Sequence, residues 1–307
     1  MKILLLGKNG QVGWELQRSL APLGELIALD RHSSDPSGDL FELTELAETV
    51  RSVQPDVIVN AAAHTAVDKA ESESELAHVL NALAPQVLAV EAAKLGALLV
   101  NYSTDYVFDG SGDLPWTEYD STGPLSVYGA TKLDGEKRIA HHCPRHLIFR
   151  TSWVYAARGG NFAKTMLRLA QERDHLSVIN DQFGAPTGAD LIADVTAHAI
   201  RQVIDAGNRA AGLTGVYHLV AQGETTWYSY AKHVLAHVAI VQPAIELKAK
   251  EIKAVNSSAF PTPARRPHNS RLDTSKLQAT FGLTLPPWQN GVDRMLAEIL
   301  SNSGTQK

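Results

Sequence analysis

Cysteine is almost absent from this sequence. Its 307 residues include one cysteine, Cys143, so the chain can form no internal disulfide and no cysteine cluster that would hold a metal. The 12 histidines are scattered without the spacing that metal ligands show. The sequence therefore predicts a protein without a catalytic metal.

Long apolar runs and an excess of positive charge are also lacking. No apolar run approaches the roughly 18 residues that span a bilayer, and the first apolar run is too short for a signal peptide. The net charge is −5, which argues against a nucleic-acid surface. These absences predict a cytoplasmic protein with no membrane and no nucleic acid among its partners.

The first 20 residues carry a nucleotide-binding pattern. The apolar run Ile3–Leu6 precedes Gly7, Gly10 and Gly13, and the amphipathic stretch Trp14–Leu20 follows. This order predicts a strand, a tight turn and a helix N-terminus. Glycines let the backbone approach a pyrophosphate, and the helix end supplies amide donors and a positive dipole. The spacing G-x-x-G-x-x-G differs from the commoner G-x-G-x-x-G.

A second apolar run, Glu25–Leu29, ends at two residues that favour different cofactors. The carboxylate of Asp30 can accept hydrogen bonds from the hydroxyls of an adenosine ribose, which favours NADH. The guanidinium of Arg31 can accommodate a 2′-phosphate, which favours NADPH. The choice between NADPH and NADH therefore stays open.

Strand and helix patterns alternate along the first half of the chain, which predicts a parallel sheet covered on both faces. The expected fold class is α/β, with a Rossmann-type doubly wound parallel sheet and a smaller C-terminal substrate-binding domain. The dinucleotide-binding domain spans residues 1–154, completed by about 190–222. Residues 155–189 and 223–300 form the substrate-binding region, and 301–307 a tail. The expected strands are 3–6, 25–29, 56–60, 97–102, 146–150 and 215–220.

Several residues of interest directly follow these strands. Ligands of doubly wound sheets bind in the crevice beyond the carboxyl ends of the strands, so these positions predict one common cleft. The small residues of segment 61–63 would let a cofactor lie close to the backbone. The positions are Gly7, Asp30, Ala63, Thr104 and Trp153.

Tyr128 and Lys132 lie four residues apart in a predicted helix that runs to about His141, so their side chains share one face. A positive charge beside a phenol favours the phenolate, which predicts a pKa below the usual value of about 10 for Tyr128. Such a tyrosine exchanges a proton with a sugar hydroxyl or carbonyl. Thr104 would hold the same oxygen by a hydrogen bond.

As a set, the motifs of this chain resemble the extended short-chain dehydrogenase/reductases and, more narrowly, the dTDP-4-dehydrorhamnose reductase family, which completes dTDP-L-rhamnose for lipopolysaccharide O-antigens. The resemblance runs from the first residues to about residue 295. The motifs that carry it are the glycine turn, Asn60-Ala61-Ala62, the segment Ser103–Gly110, Tyr128-x-x-x-Lys132, the segment Arg150–Tyr155, Asn161-Phe162, the segment Asp181–Thr187 and the segment Arg266–Ser270.

The resemblance implies reduction of the C4 carbonyl of dTDP-4-dehydro-β-L-rhamnose by hydride from NADPH or NADH. Tyr128 would protonate the developing alkoxide, Lys132 would lower the tyrosine pKa and bind the nicotinamide ribose, and Thr104 would hold the C4 oxygen. Hexose contacts would come from Asp105 and Trp153. The cofactor contacts would come from Gly7, Gly10, Gln11, Val12, Gly13, Asp30, Arg31, Asp39, Leu40, Ala62, Ala63, His64 and Thr65, together with Tyr128 and Lys132.

Two further residues complete the predicted substrate site. Asn161 belongs to it through its motif. Arg266 lies in the proline-rich segment 259–267, whose arginines stand in an otherwise acidic protein. Arginine suits the two phosphates of a dTDP-sugar better than lysine does.

Position 106 separates this interpretation from the related sugar-nucleotide 4,6-dehydratases, which carry a glutamate there as the elimination base. Tyr106 stands in its place, so dehydration is not expected. Epimerisation needs a further acid–base pair, for which His64 and Cys143 stay open. A reductase of another 4-keto-6-deoxy sugar nucleotide also stays open. So does a non-catalytic dinucleotide-binding regulatory subunit, the role of a eukaryotic family member towards methionine adenosyltransferase.

The resemblance leaves two features of assembly open. One is a homodimer. The other is a Mg²⁺ ion at a subunit contact, with Glu15, Asp190 and Asp293 as ligands, for which the sequence itself gives no support.

Overall fold

A computed structural model describes residues 1–303 of the protein. The strands are β1 (Lys2–Leu6), β2 (Glu25–Leu29), β3 (Val57–Asn60), β4 (Leu98–Thr104), β5 (His146–Thr151), β6 (Val154–Tyr155), β7 (His175–Ile179), β8 (Phe183–Gly184), β9 (Thr187–Gly188), β10 (Gly215–His218), β11 (Thr225–Thr226) and β12 (Glu251–Val255). The helices are α1 (Gln11–Leu20), α2 (Leu43–Val53), α3 (Val67–Ala70), α4 (Ser74–His78), α5 (Ala84–Leu95), α6 (Val127–His142), α7 (Phe162–Glu172), α8 (Ala189–Ala206), α9 (Trp227–Val241), α10 (Ser275–Phe281) and α11 (Trp288–Ser303).

The central sheet has the strand order β2-β1-β3-β4-β5-β10, and every pair of neighbours is parallel. All six strands expected from the sequence belong to it, including β10, which returns late in the chain to pair with β5. Short two-stranded pairs, β11 with β8, β12 with β7 and β6 with β9, lie outside it. The predicted doubly wound α/β fold is confirmed.

Strand β1 shows why the sheet is covered on both faces. Ile3 and Leu5 point into one core with α1 and α8, while Leu4 and Leu6 point into the opposite core with α2 and α5. Side chains alternate between the faces of a strand, so four successive apolar side chains require helices on both sides of the sheet. All four side chains are fully buried.

A third core joins α7, α9 and α11 in the C-terminal half of the chain. The sequence-based interpretation assigned residues 155–189 to the substrate-binding region and predicted no helix there, and α7 lies within this range. Its buried positions Ala163, Met166, Leu167 and Ala170 follow the spacing of one helical face. That spacing is the signal that the interpretation missed.

The expected tail, residues 301–307, lies only partly within the described structure. Helix α11 continues to Ser303, so residues 301–303 are helical. Residues 304–307 lie outside the described residues.

One helical stretch within residues 1–303, Ser74–Leu95, is long and apolar enough to cross a membrane by length and composition, although no unbroken apolar run of that length exists. Half of its most apolar window is buried in the protein, and Leu88 and Ala92 pack in the core against the sheet. Core helices commonly have this length and apolar composition, so the stretch Ser74–Leu95 is weak evidence for a membrane segment.

Candidate functional site

The chain leaves β1 towards β2 on one side and returns to β3 on the other, which opens a crevice at the carboxyl ends of these strands. A cavity of about 970 Å³ lies there. Most of the predicted site residues line it, as the sequence-based interpretation expected of one common cleft. They are Gly7, Gly10, Gln11, Val12, Asp30, Arg31, Ala62, Ala63, Thr65, Thr104, Asp105, Tyr128, Lys132, Trp153 and Arg266.

The glycine turn brings three backbone segments unusually close together. Gly7 has a φ of +86°, and a Cβ atom there would lie 2.8 Å from the backbone nitrogen of Ala62. A Cβ atom on Gly13 would lie 2.0 Å from the carbonyl oxygen of Gly7. Only glycine fits either position. Gly13 therefore contributes close packing of α1 against the turn, while Gly7 and Gly10 line the cleft.

The N-terminus of α1 points into this cleft and suits a pyrophosphate. Among the described residues, no side chain caps the helix at Gly10, so its first amide groups are available as donors to an anion. The Gln11 side chain donates hydrogen bonds to the carbonyl oxygens of Gly160, at 3.0 Å, and Arg158, at 3.3 Å. These bonds tie the helix start to the loop before α7.

Asp30 lies directly after β2 at the edge of the cleft. Its carboxylate accepts hydrogen bonds from the backbone of His32, at 2.9 Å, and from the Asn9 amide. The exposed Arg31 lies beside it, so the groups that favour NADH and NADPH stand together on the same rim.

The three predicted catalytic residues meet in the middle of the cleft. Thr104 ends β4, and its hydroxyl lies near that of Tyr128 and donates to Asp105 at 3.1 Å. The ammonium group of Lys132, itself 4% exposed, donates to the carbonyl oxygen of Tyr102 at 2.6 Å. Helix α6 is fixed at its N-terminus, where Ser126 caps it by accepting a hydrogen bond from the backbone of Gly129.

The expectation that the pKa of Tyr128 lies below its usual value is wrong. Burial raises the pKa of the Tyr128 phenol above its ordinary value, a hydrogen bond with Thr104 opposes this only in part, and the nearby carboxyl of Asp105 adds to it. Desolvation, which disfavours the charged phenolate, is the main cause. The phenol therefore stays protonated at neutral pH, which is the form that a proton donor needs.

The environment of Lys132 brings the pKa of its ammonium group close to neutral pH. Burial lowers the pKa of its ammonium group to about 8, and the carboxylate of Glu136 opposes that decrease. Glu136 follows Lys132 by one helical turn and is itself buried, where Arg150 on β5 holds it with bonds of 2.7 and 2.9 Å. A buried carboxylate is thus available to keep the lysine protonated.

A second cavity, of about 660 Å³, opens from the first towards α7 and the segment 257–267. The two cavities share Tyr106, Trp153, Trp227 and Arg266 in their walls. The sequence-based interpretation missed Trp227. Its position next to the cleft follows from tertiary packing, because it starts α9, more than 70 residues after Trp153 in the sequence.

Asp105 and Arg266 lie at this junction with different partners. Asp105 is almost fully buried, and burial raises the pKa of its carboxyl to about 6, while hydrogen bonds from Ser270 and Thr104 hold it lower than burial alone would. Arg266 forms an ion pair with Asp68 of α3 at 2.6 Å. This pair joins the C-terminal region to the dinucleotide-binding half at the mouth of the cleft.

The predicted site residues outside the cavity wall are Gly13, Asp39, Leu40, His64 and Asn161. Gly13 packs under the turn. Asp39 accepts from the backbone of Phe41, and Leu40 lies in the core beneath β2. Asn161 caps α7, with its oxygen accepting from Lys164 and its nitrogen donating to Ala156. These bonds favour a structural role for Asn161.

His64 and Cys143, which stayed open as epimerisation groups, occupy other places. The Nε2 atom of His64 lies 2.8 Å from the carboxylate of Glu73, and its backbone donates to Asn81. Cys143 is buried in the core under the sheet and donates to the carbonyl oxygen of Arg145. Neither of them is among the described residues that line the cleft around Tyr128.

The acidic residues considered for Mg²⁺ have other partners in this chain. Asp190 pairs with Arg294, at 3.1 Å, and Asp293 with His233, at 2.7 Å. Within residues 1–303, no group of three or more histidine, cysteine or acidic residues has a geometry that could hold a metal ion.

Comparisons with known proteins identify relatives over the full length. A model of the protein family described as RmlD substrate binding domain matches residues 1–301. The dTDP-4-dehydrorhamnose reductase of Escherichia coli (strain K12) is 60% identical over 303 residues, which is 99% of this chain and 99% of that protein.

Solved structures agree with the sequence relatives. A dTDP-4-dehydrorhamnose reductase from Clostridium acetobutylicum superposes with a TM-score of 0.86 at 35% identity, covering 98% of this chain and 100% of that one. A dTDP-4-dehydrorhamnose reductase from Bacillus anthracis, solved in complex with NADP, has a TM-score of 0.84 at 32% identity, covering 97% and 99%.

Proposed function

Because this chain belongs to the RmlD substrate binding domain family, we propose that it reduces the C4 keto group of dTDP-4-dehydro-β-L-rhamnose to dTDP-L-rhamnose with NADPH or NADH. The observation that carries the proposal is its 60% identity over 99% of its length to a reductase of that name. The cleft supports it, because Thr104, Tyr128 and Lys132 converge beside a glycine turn that suits a dinucleotide. A cytoplasmic location is part of the proposal.

The cofactor would lie along the cleft from the glycine turn to Lys132. Gly10, Gln11 and Val12 offer the amide groups of a helix N-terminus to the pyrophosphate, and Asp30 accepts from ribose hydroxyls. Lys132 keeps donors free for the second ribose, since its ammonium has three N–H groups and Tyr102 accepts one. The reduced nicotinamide supplies a hydride to the C4 carbon of the hexose when bound.

The chain itself supplies the proton and the orientation. Tyr128 is protonated and donates its phenolic proton to the C4 oxygen as the hydride arrives, so the ketone becomes an alcohol. Thr104 hydrogen-bonds the same oxygen and stabilises its developing negative charge. Asp105 and Trp153 line the cavity and would contact the hexose, and Arg266, in the walls of both cavities, would meet the diphosphate.

The test mixes the purified protein with NADPH and enzymatically prepared dTDP-4-dehydro-L-rhamnose, and follows the absorbance of the reduced nicotinamide. The proposal predicts loss of absorbance with dTDP-L-rhamnose as the product. NADH in place of NADPH then gives the cofactor preference. Cofactor binding without turnover would contradict the proposal and favour the regulatory-subunit alternative. Turnover only with another 4-keto-6-deoxy sugar nucleotide would correct the substrate.

A further inference from the structure

Trp153 has a backbone conformation that a tryptophan rarely adopts. Its φ is +48°, in the left-handed region, where residues other than glycine, asparagine and aspartate are uncommon. A bulky residue stays in such a conformation only when its surroundings hold it there, and such positions cluster at ligand sites.

Trp227 provides the main contact. The two indole rings stack with centroids 3.6 Å apart and an angle of 16° between their planes. On the same Trp153 indole, the backbone of Gly184 closes in so tightly that a Cβ atom at Gly184 would lie 2.8 Å from Cε2. The Trp153 ring thus fits a slot formed by an aromatic face and a bare stretch of backbone.

Trp227 is itself anchored at several points. It is the first residue of α9, whose cap Thr226 accepts from the backbone of Ser229 and donates to Asn180 at 2.7 Å. Its indole nitrogen donates to the side-chain oxygen of Gln182 at 3.1 Å. These contacts fix the ring before any ligand binds.

The stack lies where the two cavities meet, because Trp153 and Trp227 both line both of them. The catalytic residues lie in the larger cavity, while the smaller one opens towards the segment 257–267. A sugar nucleotide that spans the junction would have its hexose beside these rings. Because Trp227 covers one face of the Trp153 ring, the hexose would meet the edge of that ring, and an indole N–H suits the oxygens of a sugar.

We propose that Trp227 is a positioning residue for the substrate: by stacking on Trp153, it holds that strained indole in the orientation that contacts the hexose. This inference rests on the proposed function. It assigns Trp227 no contact with the reacting atoms, so it predicts an effect on sugar-nucleotide affinity and little effect on the chemical step.

The primary test is independent of turnover. Calorimetry measures the affinity of the wild-type protein and of Trp227→Phe and Trp227→Leu for dTDP-L-rhamnose, and fluorescence measures their affinity for NADPH. An aromatic pair of this kind corresponds to a change of about 2- to 10-fold in a binding constant. We expect dTDP-L-rhamnose to bind that much more weakly to the leucine variant and less so to the phenylalanine variant, with NADPH affinity unchanged.

A spectroscopic signature reports the stack directly. Two indoles at 3.6 Å couple strongly, so the wild-type protein should show an exciton couplet in circular dichroism that Trp227→Phe and Trp153→Phe both remove. Gly184→Ala keeps both tryptophans but pushes on Trp153, and should alter the couplet and weaken dTDP-L-rhamnose binding. This variant keeps the proposal testable if Trp227→Leu fails to fold.

Trp288→Phe is the matched control. Trp288 is a buried tryptophan of the same core that packs on Tyr230, and in the described structure it lies away from both cavities. It should keep the couplet and the dTDP-L-rhamnose affinity. Unchanged affinity in a folded Trp227→Leu variant, or equal weakening in Trp288→Phe, would overturn the proposal. Absence of wild-type turnover with intact dTDP-L-rhamnose binding would instead contradict only the proposed function.

Discussion

At the scale of single residues, burial decides the protonation of the candidate catalytic pair. The four-residue spacing of Tyr128 and Lys132 correctly predicts that they share a helix face, but it carries no information about desolvation. In the folded chain the ammonium of Lys132 bonds to the Tyr102 carbonyl, and burial raises the pKa of the phenol. The sequence thus indicates the groups, and the tertiary structure determines their charge.

Tyr128→Phe should retain NADPH binding and lose turnover by a factor on the order of 10² or more, because it removes the proton donor while keeping the ring. Steady-state kinetics and a cofactor titration measure the two effects. Tyr106→Phe is the matched control, since the Tyr106 ring lies 5.5 Å from that of Tyr128 in the same cleft. Near-normal turnover by Tyr128→Phe would remove Tyr128 from its assigned role.

The activity of the enzyme should decline in mildly alkaline solution. The pKa of Lys132 is lowered to about 8 by burial, so the protonated fraction of this cation falls as the pH rises through that value. If the charged form binds the cofactor ribose, kcat/KM, which reports the free enzyme, falls over the same range. A pH profile of kcat/KM with constant ionic strength measures it.

Glu136 should determine the pH at which kcat/KM declines. Its carboxylate raises the pKa of Lys132, so Glu136→Gln should move the decline in kcat/KM to lower pH. Glu136→Asp keeps the negative charge and serves as the control, with a smaller displacement expected. Superimposable profiles for the wild type and a folded glutamine variant would show that Glu136 has no such influence.

At the scale of elements, the sequence predicts strands better than it predicts helices of the C-terminal half. Strand β1 has four successive apolar residues, Ile3–Leu6, a short run that leaves few alternatives to a buried strand. Helix α7 shows its apolar face only once every third or fourth residue, between polar and glycine-containing segments that suggest a loop. The cap at Asn161 and the buried face of α7 mark it as a helix, whereas the motif alone assigned Asn161 to the substrate.

The packing of α1 on the glycine turn gives a prediction for this element. Gly13→Ala would place a methyl group 2.0 Å from the Gly7 carbonyl, so the helix must move away from the turn. We expect a loss of about 1–3 kcal/mol in the free energy of unfolding and weaker NADPH binding, measured by denaturant titration and by fluorescence.

Gly212→Ala controls for the general effect of an added methyl group. Within the described part of the chain, no atom lies within 4 Å of a Cβ atom at Gly212, so stability and NADPH affinity should both persist. If Gly13→Ala binds NADPH as tightly as the wild type does, the turn does not hold the pyrophosphate.

At the scale of the whole molecule, the site is assembled from segments that are distant in the sequence. The family resemblance assigned Trp153 to the substrate, and the affinity of arginine for phosphate assigned Arg266 to it. Nothing in the sequence pattern links Trp153 to Trp227 or Arg266 to Asp68. The stack and the ion pair arise where the C-terminal region folds back over the crevice. Contacts of this kind depend on the packing of several elements, which local periodicity does not describe.

The most direct test of the central claim is the destination of the hydride. The protein would convert dTDP-4-dehydro-L-rhamnose with NADPH that carries deuterium at the transferred position of the nicotinamide, and NMR and mass spectrometry would locate the label in the product. Reduction in this cleft predicts one deuterium on C4 of the hexose and none on C3 or C5. A product without deuterium at C4, or with the label on another carbon, would contradict the account.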